Sequence, residues 1–358
     1  MYVLKPLLFA LALLAPATVQ AQAWATREVC KVTSAEIDPQ VLPDEVLASL
    51  RADAAKMPNP RGRFWRIQSP DGAVSHLWGT MHSNDPLILD LPVIVQKRIS
   101  GARMVALEFD PVLSSRPAVQ DLHERDLFRP VDSTYNFDNS GLDPLIVNWI
   151  RTRLEGLGWG RDAPDQLTLP FLVESLLSDP CDDFASGVVP DQDSLIQTLG
   201  AIAGNDIIGL ESPEALTDYL KDPQNQGSAL SILAVYGAYL DPISSTKNRA
   251  TNFALYLQGE TAVSRQWDRV TLTHIYGEDL ADFYLQRSDD YLLNQRNKTF
   301  LQTALPDLQQ GGVFMAIGSF HLPGEQGMIE LLRQAGYTVS RIPLPGETPD
   351  APARETLK

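Results

Sequence analysis

Two glycine-led tetrads, Gly79-Thr80-Met81-His82 and Gly318-Ser319-Phe320-His321, each close an apolar run, and together they restrict the chain to a sheet-based fold. The runs before them, His76-Leu77-Trp78 and Val313-Phe314-Met315-Ala316-Ile317, read as buried β-strands. A glycine at a strand end lets the backbone turn sharply or approach another group without a Cβ clash. The histidine three positions later is then carried on the loop just beyond the sheet. The chain holds only five histidines in 358 residues, so two such tetrads at opposite ends predict one site assembled from both.

The rest of the pattern supports a parallel or mixed α/β sheet with flanking helices and a helical middle segment. Phe64-Trp65-Arg66-Ile67 and the run 73–78 flank the turn cluster Ser69-Pro70-Asp71-Gly72, which predicts a β-hairpin. A short helix is expected over 91–99 and a buried strand over 103–107, ending at Glu108. Several helical stretches fall between 143 and 204. A further strand over 206–210 ends at Glu211, and Ser212-Pro213-Glu214 reads as a helix cap, a first-turn proline and an acidic first turn. Residues 229–310 are mostly helical in pattern. A strand over 313–317, a helix over 326–334 with Gly336 at its end, and a strand over 337–342 follow. From Pro343 onward the proline-rich polar composition predicts disorder. Strand–helix–strand order at 74–107 and 313–342 implies parallel strands. Sites in such sheets form outside the carboxyl ends of the strands. His82, Glu108, Glu211 and His321 each fall there.

A formal charge of −16 and the lack of a basic stripe argue against a nucleic-acid partner. At the N-terminus, Lys5, an apolar stretch from Leu7 to Ala15, and Ala21-Gln22-Ala23 have the order of a cleaved signal peptide over residues 1–23. The apolar stretch is short of the ~20 residues that span a bilayer. No second membrane segment is apparent, and a periplasmic or secreted location is expected. The domain reading is an extension over 24–60, an α/β domain over 61–342 with its helical segment about 115–204, and a tail over 343–358. Cys30 and Cys181 are the only cysteines. In an oxidising compartment such a pair is expected to form a disulfide, the alternative being two buried thiols.

Two imidazoles with one or two carboxylates make a ligand set for a divalent ion such as Mn, Co or Zn, with a position left for water. Such an ion acidifies water and polarises a carbonyl, which is the equipment of hydrolysis. His82, His321 and Glu108 are the candidate metal ligands. Glu108, Glu211 and Arg296 are the candidate catalytic groups, Arg296 through contact with a substrate carboxylate or developing oxyanion. A single loop histidine usually donates to backbone; the matched pair with matching glycines is what favours a site. Asp110 competes with Glu108, one strand period away. His76, His123 and His274 lack partner patterns.

At these residues the chain resembles the TraB/PrgY/GumN family, which also contains the Tiki metalloproteases. The resemblance is carried by Leu77-Trp78-Gly79-Thr80-Met81-His82, Leu107-Glu108-Phe109-Asp110, Gly209-Leu210-Glu211-Ser212-Pro213-Glu214, Gln295-Arg296-Asn297 and the run 318–327. The closing Leu331-Leu332-Arg333-Gln334-Ala335-Gly336-Tyr337 also fits. Relatives often carry an acidic residue where this chain has Gln295. The resemblance implies a fold akin to the erythromycin-esterase and ChaN-like proteins and an extracytoplasmic metal-dependent hydrolase, more narrowly a peptidase. It equally admits a non-catalytic ligand- or haem-binding protein, or an accessory protein of polysaccharide or envelope biosynthesis. The substrate, peptide or small molecule, is not specified by either reading.

Overall fold

The apolar runs become six strands: β1 (Phe64–Gln68), β2 (Val74–Thr80), β3 (Met104–Leu107), β4 (Asp206–Gly209), β5 (Val313–Gly318) and β6 (Thr338–Arg341). They are seen in a computed structural model that describes residues 29–109, 127–177, 179–181, 190–241 and 246–349. One sheet takes them in the order β4-β3-β5-β2-β1-β6. β5 pairs in parallel with β2 and β3, and β3 with β4, as the crossover order requires. β1 runs against both its neighbours, so the sheet is mixed. The β1–β2 hairpin closes where expected. Gly72 adopts φ +90°, which favours glycine, and its N–H donates to Ser69 O at 2.9 Å.

β5 is buried along its whole length because helices cover both faces of the sheet. Val313, Met315 and Ile317 pack with Phe300, Leu308 and Met328, from helices Arg296–Gln310 and Met328–Gln334. Phe314 and Ala316 turn to the other face, with Ile99 and Ile196 from helices Val93–Ser100 and Gln192–Ala203. Gly200 lets that last helix seat closely: a Cβ there would lie 2.7 Å from Val105 Cγ2. A separate apolar cluster, including Ile146, Ile150, Leu172, Ile232 and Leu233, forms the core of the helical layer.

Two local readings differ from the structure. The helix after β4 is Ala215–Lys221, starting later than the Ser212 cap implied; Ser212 Oγ instead accepts the Glu214 N–H at 3.2 Å in a local turn. In the proline-rich end, residues 343–349 are held against the domain. Leu344 is buried, and Glu347 accepts ion pairs from Arg63 and Arg341 with its side chain 1 % exposed. Residues ahead of β1 are also packed: Leu47, Leu50 and Ala54 of helix Asp44–Ala54 lie against Leu255, Ala262 and Val263. Cys30 and Cys181 are joined as a disulfide, with Cα atoms 5.5 Å apart. Among the described residues no helix is long and apolar enough to cross a membrane. The signal segment, Asp110, His123 and the 350–358 part of the tail lie outside the described residues.

Candidate metal centre

The four strand-end residues converge because β2, β5, β3 and β4 are neighbours running the same way. Register places Thr80 beside Gly318, so the two tetrads leave the sheet side by side. Each glycine makes room for the other tetrad or for the site. A Cβ on Gly79 would sit 2.6 Å from Leu322 Cδ1 and 3.1 Å from Ser319 Cα. A Cβ on Gly318 would instead point into the site, 3.1 Å from Glu108 Oε1, 3.5 Å from His82 Nε2 and 3.5 Å from His321 Cδ2. Both imidazoles and the carboxylate therefore surround one point in space. Beyond β3 and β4 the pairing continues, with Glu211 N donating to Glu108 O at 2.9 Å, which sets the two glutamates next to each other.

Each imidazole is fixed through Nδ1, leaving Nε2 toward the centre. His82 Nδ1 lies 3.0 Å from Asp193 Oδ2, and Asp193 Oδ1 accepts from the Thr80 hydroxyl at 3.0 Å. His321 Nδ1 lies 2.8 Å from Asn297 Oδ1. The Asn297 amide nitrogen donates to the His321 and Gln326 carbonyls, so its oxygen faces the ring and His321 carries its proton on Nδ1. His321 Nε2 is 3.5 Å from Glu108 Oε1. These are the outer partners that orient metal-binding imidazoles.

Electrostatics separates the two rings. Burial pushes His321 down to about 3, with Arg296 and Arg265 adding to the effect against Glu108, so it is neutral. The His82 side chain is 54 % exposed. Desolvation there works against its charge, but Asp193, Glu108 and Asp191 outweigh it and push His82 up to about 10. The acidic neighbours thus favour positive charge at the His82 ring. The ligand-capable atoms of His82, Asp191 and Asp193 lie within 4.8 Å of one another, which makes a possible cation cluster.

Arg296 bridges the two glutamates. Its Nη2 contacts Glu108 Oε2 at 2.7 Å and also Glu211 Oε1, while Nε donates to Glu211 Oε1 at 2.7 Å. Burial raises Glu108, but Arg296 foremost, with His82 and the Gly318 N–H at 2.6 Å, more than offsets it and holds the carboxyl well below its usual range. At Glu211 burial prevails over Arg296, and Glu108 adds to the rise. A π-helical turn, Asp290–Gln295, delivers Arg296 to this position. Such turns rotate the helix face locally. Adjacent residues then serve different partners, Arg296 the glutamates and Asn297 His321. Gln295 is exposed.

All five expected residues (His82, Glu108, Glu211, Arg296 and His321) are thus brought together. His76 instead stacks on Phe64 within the sheet at 5.6 Å, and burial, aided by Arg98 and Arg66, pushes it down to about 4. His274 lies in helix Thr261–Tyr276. Sequence reasoning missed Asp191, Gln192, Asp193 and Asn297. Gln192 Oε1 accepts from Trp78 Nε1 at 3.1 Å, Met81 N at 3.3 Å and Tyr256 OH at 2.8 Å, binding the helix start to the first tetrad. The one available signal was Asp191 as an N-cap, its side chain accepting from Ser194 N at 2.8 Å. It marks a helix start and says nothing of the histidine beside it. Tyr236 was also missed. Burial raises its phenol to about 12, and it lies within electrostatic reach of Arg296 and Glu108.

No curated protein and no solved structure matches the chain. The family model described as TraB/PrgY/gumN family matches residues 63–341, which span both tetrads and all five converging side chains, and the chain belongs to that family.

Proposed function

We propose that this protein is an extracytoplasmic metal-dependent hydrolase, with peptides as the expected substrates. The observation that carries the reading is the shared point above Gly318, faced by His82 Nε2, Glu108 Oε1 and the His321 ring, with both Nδ1 atoms already occupied. The donor set, two nitrogen ligands and one carboxylate, suits Zn, Mn or Co. Asp191 and Asp193 then act as the anionic backing of His82, since Asp193 is engaged by the ring and Thr80, and Asp191 caps its helix.

A divalent ion held there would polarise a scissile carbonyl and acidify water. The chain's own groups divide the remaining work. Glu108 stays charged under Arg296 and fixes the negative side of the site. Glu211, with its carboxyl raised by burial, is the group suited to take a proton and return it to the leaving group. Arg296 is then positioned to meet negative charge that develops on the substrate. The location outside the cytoplasm is supported by the disulfide and by the order of charge, apolar stretch and small residues at the N-terminus.

The test is metal content and turnover together. Purified mature protein should carry about one divalent ion per chain, and His82→Ala combined with His321→Ala should carry none. A mixed peptide library read by mass spectrometry should be cleaved by the metal-loaded protein and not by Glu108→Gln. Stoichiometric metal in the histidine double variant would overturn the ligand set. Metal without cleavage of any peptide would favour the ligand-binding reading over the hydrolase.

A further inference from the structure

His82 is flanked on both sides by chain that leads to the disulfide. On one side, its neighbour Met81 packs in a small apolar cluster with Val32 and Ala35, two and five residues beyond Cys30. On the other, its neighbour Ser83 is 1 % exposed, and its hydroxyl accepts from Arg249 Nη2 at 3.4 Å and Asp85 N at 3.2 Å. Arg249 Nη1 in turn pairs with Asp179 Oδ2 at 2.7 Å, both side chains largely buried at 14 % and 17 % exposed. Asp179 Oδ1 accepts from the backbone N of Cys181 at 2.9 Å. Asp179 therefore holds Cys181 with one oxygen and Arg249 with the other, and Arg249 holds the residue after His82. The guanidinium also lies over the Phe253 ring at 4.8 Å, within the cluster that contains Met81.

We propose that Arg249 is a positioning residue for the His82 loop and that the Cys30–Cys181 disulfide sets its place, so that reducing the disulfide loosens the metal centre. The proposal rests on the metal reading of His82 and adds its regulation. The covalent link matters because Cys30 and Cys181 are 151 positions apart, and among the described residues no strand or helix pairs their two segments directly. Without the link, the Asp179–Arg249 ion pair must recruit its own carboxylate against the entropy of the free segment. Arg249 is then free to leave Ser83. Cys30 is partly exposed, so a reductant can reach the bond. Reduction by an external dithiol breaks the S–S bond, passes two electrons and two protons to give two thiols, and closes the dithiol to its own disulfide.

The experiment is a cycle of variants in the mature protein. Mn²⁺ affinity is measured by titration calorimetry for the oxidised wild type, Cys30→Ser/Cys181→Ser, Arg249→Met, and all three substitutions combined. Loss of an outer partner typically costs ~10–100-fold in metal affinity. The two-cysteine variant and Arg249→Met should each lose about tenfold or more, and the combined variant should be no weaker than Arg249→Met alone, as for residues acting in one chain of contacts. Arg249→Lys should recover part of the loss. Unchanged Mn²⁺ affinity in either arm, or losses that multiply in the combined variant, would overturn the coupling. A second readout does not need the metal. In metal-free protein with labelled histidine rings, the His82 resonance should move on disulfide loss and on Arg249→Met, while His76 stays in place. If the two-cysteine variant does not fold, the same comparison is made between oxidised wild type and wild type reduced by a dithiol. A stationary His82 resonance would refute the brace even if Mn²⁺ binds. A moving resonance in a protein that never binds Mn²⁺ would uphold the brace and remove the metal reading instead.

Discussion

Replacing Gly318 with alanine should separate metal binding from folding. Gly318 has φ −50° and ψ 136°, which alanine adopts without strain. The added methyl would stand 3.1 Å from Glu108 Oε1, so the carboxylate has to give by a few tenths of an ångström. That is mild overpacking, near the low end of the ~1–3 kcal/mol such changes cost, or a fall of roughly 2–4 °C in Tm for each kcal/mol. Binding should suffer far more. Donor atoms ~2.0–2.2 Å from a shared ion leave it in the space that the methyl fills, with His82 Nε2 and His321 Cδ2 each 3.5 Å from that carbon. Affinity should drop by more than ~100-fold, beyond the loss of any outer partner. Gly79→Ala is the contrast. Its methyl meets Leu322 Cδ1 at 2.6 Å and Ser319 Cα at 3.1 Å, so it should cost ~1–3 kcal/mol of stability and leave affinity within about tenfold. Calorimetric metal titration with thermal unfolding of both variants reads the two effects. Retained affinity in Gly318→Ala, or parallel losses in both variants, would refute a site centred above Gly318.

Removing Arg296 as Arg296→Met leaves Glu108 and Glu211 buried without their cation, so stability should fall by ~3–5 kcal/mol, measured by denaturant unfolding; a loss under ~1 kcal/mol would contradict the bridge. Asp193→Ala releases His82 Nδ1 and should weaken metal binding ~10–100-fold with little change in fold, whereas an intact affinity would show that the ring needs no carboxylate. Away from the centre, burial pushes Asp268 up to about 7, with Asp289 adding and a Tyr239 hydrogen bond and Arg265 opposing. The folded protein then holds a proton that the unfolded chain releases near 3.8, so stability falls as pH rises from there to about 7 and stays lower above it. Asp268→Asn should flatten that slope and gain on the order of a few kcal/mol above pH 7, read by thermal unfolding from pH 4 to 9; parallel curves would contradict it.

The sheet was legible because its strands announce themselves. The apolar runs before Gly79 and Gly318 have no other stable use, and a strand-end glycine fixes where the following histidine emerges. The convergence of His82, Glu108, Glu211 and His321 followed from parallel order, whereas Arg296 arrives from a helix and was singled out only by its chemistry. What sequence reasoning missed depends on contacts between distant segments. Asp193 reaches His82 only because helix Gln192–Ala203 docks on β3 through Gly200, which no local pattern reveals. Asn297 lies in a quoted motif, yet its role needs the π turn to aim it at His321. The end of the chain misled for a related reason. Its proline content reads as disorder, while Glu347 is held by Arg63, a residue 284 positions earlier, and by Arg341.

The most direct test of the centre is a crystal of the mature protein grown with Mn²⁺ or Zn²⁺ and measured at the metal's absorption edge. One anomalous peak per chain, ~2.0–2.2 Å from both His82 Nε2 and His321 Nε2 and within ligand distance of Glu108, is the expected result. A peak held by His82, Asp191 and Asp193 alone, or no peak between the two rings, would contradict it.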